Sequence, residues 1–171
     1  MSTGRTLVIG LGNPILGDDG VGWRVAEEVR RRIPNPQYPT AKEGLGIGDC
    51  AIEVDCVPLG GLSLMERLVG YDRAILVDAM GTGQQPIGSV SCLALEDLPD
   101  PSAGHMTAAH DASLPTALKV GRAMGAHLPE QVTIVAVEAQ AVYDFSEELS
   151  APVAKAVPAA VATVMKLLHL E

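Results

Sequence analysis

The first apolar run, Thr6-Leu7-Val8-Ile9, stops at Gly10-Leu11-Gly12. Aliphatic and β-branched residues bounded by glycines predict a short buried strand. From Val21 the apolar positions Val21, Val25, Val29 and Ile33 recur every fourth residue, and Arg24, Glu27, Glu28, Arg31 and Arg32 take much of the rest. That spacing predicts a helix with one apolar face. Acidic residues before it, arginines in its last turn and Pro34 beyond supply start and stop signals. Ile52 to Val57 predicts a second strand, Leu62 to Leu68 a short helix after Gly60-Gly61, and Arg73 to Val77 a third strand that stops at Asp78. Ser89 to Leu95 predicts a fourth strand. A helix follows from near Ser113, with Pro115 in its first turn, to near Gly125. Gln131 to Val137 predicts a fifth strand, and Glu147 to Leu168 a helix kinked or restarted at Pro158. Pro34 to Asp49 and Asp97 to His110 have no period and are expected to be irregular loops.

Strands alternating with helices predict an α/β fold: a three-layer sandwich with a mostly parallel sheet of about five strands flanked by helices. Residues 1–171 are expected to form one domain. In such sheets ligands bind where loops leave the carboxyl ends of the strands. Three of the predicted exits carry polar residues capable of chemistry.

Composition narrows the possibilities. Aromatics make up only 3% of the 171 residues, so the core must be aliphatic. Twelve basic against twenty-one acidic residues give a net charge of −9. That field repels phosphate backbones, and too few aromatics exist for a base-stacking platform, so no nucleic-acid partner is expected. No apolar run is long enough for a membrane span. No signal peptide precedes the first strand, and a soluble cytoplasmic protein is the expectation. Cys50, Cys56 and Cys92 lack CxxC spacing and are odd in number, which does not suit a disulfide framework. Cys56 and Cys92 are expected in the core.

Three places could carry chemistry. In Gly10-Leu-Gly-Asn-Pro-Ile-Leu-Gly-Asp-Asp-Gly-Val-Gly22, Ile15 occupies the third glycine of a dinucleotide fingerprint. Two carboxylates also stand where a pyrophosphate would need bare N–H groups. The simpler expectation for Asp18 and Asp19 is a helix N-cap with a dipole partner, but a cap needs only one of them. Asp78, after four apolar residues, is either a turn residue bonding its own backbone or an acid that needs a partner or cation. His105 and His110 precede a helix, and each is either solvated or a ligand. Two carboxylates and one imidazole from three strand exits would make a mixed O/N set suited to Zn²⁺ or Ni²⁺.

The string GLGNPILGDDGVG resembles the opening of hydrogenase maturation proteases: a strand, Gly-x-Gly-Asn, then an acidic pair and Gly-x-Gly. The resemblance continues through Gly60-Gly61 and Met65-Glu-Arg-Leu68 and spans nearly the whole chain. It implies an endopeptidase that removes the C-terminal extension of a nickel–iron hydrogenase large-subunit precursor after nickel insertion. The ligand set it implies falls on Asp19, Asp78 (in Ile75-Leu-Val-Asp-Ala79) and His110 (in His110-Asp-Ala-Ser-Leu114), which would serve as both metal and catalytic residues of a metal-dependent aspartic-type enzyme. The metal would be nickel supplied by the substrate, with Zn or Cd as surrogates. The implied partner is the nickel-loaded precursor, and a monomer is expected.

There are departures from the family pattern. Leu62-Ser63-Leu64 lacks the Thr-x-Gly often found there, and Val137-Glu138-Ala-Gln140 replaces an Ile-Glu-Pro-type ending, leaving a role at the site open for Glu138. His105 competes with His110. A non-catalytic nickel-sensing maturation chaperone could use the same ligands. Peptidyl-tRNA hydrolases share the Gly-Leu-Gly-Asn-Pro opening, but Leu16-Gly-Asp-Asp19 stands where they continue differently, and an isoelectric point near 4.8 suits tRNA badly.

Overall fold

The computed structural model describes residues 4–33, 51–98, 114–140 and 145–170. The elements run β1 (Thr6–Leu11), α1 (Val21–Arg32), β2 (Ile52–Val57), α2 (Gly61–Arg67), β3 (Arg73–Met80), β4 (Val90–Ala94), α3 (Leu114–Ala123), β5 (Gln131–Glu138) and α4 (Ala151–Leu167). A 3-10 turn, Gly17–Gly20, joins β1 to α1. The five strands lie in the order β2-β1-β3-β5-β4. All neighbours are parallel except β4, which pairs antiparallel with β5.

Alternation along the strands sorts the aliphatic residues onto two faces. Leu7, Ile9, Leu76 and Ile134 meet Leu64 of α2, Leu68 at its C-cap, and Leu114 and Leu118 of α3 on one side. Val8, Ile75, Val77 and Val135 meet Val21, Val25 and Val29 of α1 and Val153, Val161 and Val164 of α4 on the other. The result is the three-layer sandwich with five strands. The chain leaves β1 for β2 on one side and then returns to β3 on the other, so the strand order reverses between β1 and β3. A crevice opens at such a reversal, beyond the carboxyl ends of the two strands.

The glycines after β1 serve close packing. A Cβ on Gly22, in the first turn of α1, would lie 2.4 Å from the Val77 carbonyl oxygen and 2.5 Å from that of Leu11. The helix therefore starts in backbone contact with both central strands. Gly12 has φ +106°, and a Cβ there would sit 2.0 Å from the Asp19 carbonyl oxygen. Only glycine suits that turn.

Three expectations need correction. β3 runs two residues past Asp78, because Asp78 and Ala79 continue the ladder opposite Ala136 and Val137. α4 starts at Ala151 rather than Glu147 and runs unbroken through Pro158. Pro158 and Ala154 are both exposed, so the carbonyl that loses its helical partner faces water. Cys92 is exposed on the edge strand β4, and Cys56 is only half-buried. Burial still pushes the Cys56 thiol up to about 11, against the pull of Arg30.

The amino end of the sheet carries an ion cluster. Arg67 donates to both Glu53 and Asp55, the Tyr71 hydroxyl donates to Glu53, and the Arg5 guanidinium lies 4.6 Å from the centre of the Tyr71 ring. At the β2 edge the Val54 carbonyl accepts from Arg30 at 2.6 Å, and the Cys56 N–H donates to Asp55. Charged groups thus block an edge that would otherwise template strand pairing.

Candidate active site at the carboxyl edge of the sheet

β1 ends at Leu11, and the chain turns through Asn13 and Leu16 into the 3-10 turn that holds Asp18 and Asp19. Neither acid caps α1: the N-cap is Gly20, with no side-chain cap bond. The two carboxylates differ. Asp18 is buried, and its oxygens accept from the Ser150 N–H at 2.6 Å and the Ser150 hydroxyl at 2.8 Å. Ser150 is the N-cap of α4, so Asp18 places its negative charge at the positive end of another helix. Asp19 is half-buried and accepts the Asn13 N–H through Oδ2 at 2.7 Å. Among the described residues its Oδ1 takes no hydrogen bond, so of the pair it is Asp19 that keeps an available oxygen.

Asp78 is 4% exposed and lies one residue past the last β1–β3 pair, Gly10 with Val77. One of its oxygens accepts the Ala79 N–H at 2.9 Å. The 3-10 turn packs against β3. Asp19, in the turn after β1, and Asp78, within β3 one residue past its last pair with β1, therefore both lie beyond the end of the β1–β3 ladder, at the strand reversal. An ionised carboxylate this deeply set is costly unless dipoles or a cation compensate it.

His110 and His105 lie outside the described residues, as do Cys50 and the 34–49 loop. Among the described residues, no three His, Cys, Asp or Glu side chains are grouped to hold a metal ion. Glu138, paired with Met80 at the same edge, accepts from the Thr82 hydroxyl and the Gly83 N–H, both at 2.8 Å. Its carboxylate shapes the turn after β3. Asn13 and Ser150 hold the two aspartates apart in role. Asn13 stands in the glycine motif, but Ser150 is 132 residues from Asp18 and carries no local signal.

The class so defined is an α/β protein with two aspartates at its topological switch point. The profile of one family, HycI: Hydrogenase maturation protease, matches residues 58–167. The chain is 26% identical over 165 residues to the hydrogenase expression/formation protein HupD of Rhizobium leguminosarum bv. viciae, covering 96% of this chain and 74% of that one. Its fold is similar to the hydrogenase maturating endopeptidase HybD from E. coli, with TM-score 0.72, 23% identity and coverage of 96% and 92%. It is also similar to a hydrogenase 2 maturation peptidase from Thaumarchaeota archaeon SCGC_AB-539-E09, with TM-score 0.63, 28% identity and coverage of 98% and 99%. This chain belongs to the hydrogenase maturation protease family. It is a protease of hydrogenase maturation. Among the described residues no helix is long and apolar enough to cross a membrane.

Proposed function

We propose that the protein is the cytoplasmic endopeptidase that removes the C-terminal extension of a nickel–iron hydrogenase large-subunit precursor once nickel has been inserted. Asp19, Asp78 and His110 recognise the nickel, which arrives as part of the substrate. The observation that supports this reading is that Asp19, in the turn after β1, and Asp78, one residue past the last β1–β3 pair, both lie at the strand reversal. Two carboxylates and an imidazole are donors that Ni²⁺ accepts, and Zn²⁺ or Cd²⁺ would substitute.

In this reading the metal serves as an anchor. Holding the nickel by its open coordination positions fixes the attached polypeptide, and orientation of the scissile peptide lowers the barrier through lost translational and rotational freedom. Asp19 is the carboxylate with an available oxygen, and Asp18 holds the loop in place beside it. Cleavage is tested with nickel-loaded and nickel-free precursor. The wild type converts only the loaded form, and Asp19→Asn converts neither. Equal conversion of both forms would exclude nickel recognition.

A further inference from the structure

The single phenylalanine of this chain is not in the core. Phe145 is 84% exposed, although phenylalanine is among the side chains most often buried. Its backbone position is fixed by its neighbours. Gly17 N–H donates to the Ser146 carbonyl at 2.7 Å and Ser146 N–H to the Ile15 carbonyl at 3.0 Å, forming a parallel bridge between Leu16 and Ser146. The bridge sets Phe145 and Ile15 at equivalent positions of adjoining segments, and Ile15 is exposed as well. The segment is pinned further on by Arg24 on the Glu147 carbonyl and by Asp18 on Ser150. Two large apolar side chains thus stand in water on a held backbone, directly before the turn that carries Asp19.

We propose that Ile15 and Phe145 form a specificity subsite that seats an apolar side chain of the precursor polypeptide beside the nickel-recognition residues. This rests on the proteolytic reading above and adds what that reading leaves open, the chemistry of the substrate near the site. The occupant is the substrate chain because the platform is continuous with the Asp18-Asp19 turn and a protease must hold polypeptide there. A pinned backbone loses little further freedom on binding, so apolar contact is converted efficiently into affinity.

The test uses the full-length protein and the nickel-loaded large-subunit precursor. Ile15→Ser and Phe145→Ser each raise KM about tenfold and leave kcat within about twofold, the pattern of binding lost equally in ground and transition states. Both retain the wild-type melting temperature. Met124→Ser is the control: Met124 is 81% exposed but stands after α3, near the amino end of β5, and its loss leaves KM unchanged. A wild type that cuts, with KM unaltered in both subsite variants or raised as much by Met124→Ser, overturns this inference alone. A wild type that neither binds nor cuts the precursor overturns the functional reading and the subsite with it.

Discussion

Asp18 binds Ser150 through both carboxylate oxygens and thereby joins the loop after β1 to the start of α4. These two hydrogen bonds involve a charge and are buried, which places them among the stronger kinds. Asp18→Ala leaves the Ser150 N–H and hydroxyl without their acceptor. The expected loss is about 2–4 kcal/mol, read as a lower urea midpoint at constant m-value.

Asp19 should behave oppositely. Asp19→Asn keeps an acceptor for the Asn13 N–H and costs about 1 kcal/mol of stability or less. It nevertheless abolishes processing, as do Asp78→Asn and His110→Ala. Circular dichroism establishes that each variant is folded, and a gel shift of the precursor reports cleavage. Turnover retained in any one of them removes that residue from the recognition set.

Divalent cations supply a test that does not depend on substrate. A ligand that binds only the folded chain raises stability by about 2.7 kcal/mol at a hundredfold excess over Kd. Ni²⁺, Zn²⁺ and Cd²⁺ should each raise Tm in the wild type, and the increase should vanish in Asp19→Asn. A wild-type Tm unmoved at millimolar metal would count against a preformed set of ligands.

Gly22 marks the closest approach of α1 to the sheet. Gly22→Ala places a methyl group 2.4 Å from the Val77 carbonyl oxygen, and the obstacle is backbone on two strands. The helix must move away, at an expected cost of about 3 kcal/mol. Differential scanning calorimetry measures it directly.

Acid should loosen the ion cluster at the amino end. Burial raises the Glu53 pKa, but hydrogen bonds from Tyr71 and Arg67 and the charges of Arg67 and Arg5 outweigh it, so the group lies below its ordinary value of 4.5. A carboxyl that is depressed in the folded chain contributes stability fully above its ordinary value. That contribution disappears as pH falls through the lowered one. Glu53→Gln should therefore flatten the acid limb of a Tm-against-pH curve while leaving the neutral plateau lower. An unchanged acid limb would exclude Glu53 as its source.

The strands were legible because aliphatic runs ended at glycine, proline or acid, and β2 spans the predicted residues 52–57. The end of β3 was not legible. Asp78 looks like a terminator in one dimension, but its ladder partners on β5 carry the strand onward. The start of α4 was misread because Glu147 and Glu148 are good helix formers, yet Ser146 and Ser150 are bonded to the loop after β1 and hold that stretch out of the helix. For the same reason the division of labour between Asp18 and Asp19 could not be read locally. Two adjacent identical residues differ only through partners at positions 13 and 150.

The clamp of Arg5, Glu53, Arg67 and Tyr71 grips the strands where they begin, whereas Asp19 and Asp78 stand beyond the last pair of β1 with β3. The two groups share no residue, so a change at one pole of the sheet leaves the hydrogen bonds of the other in place.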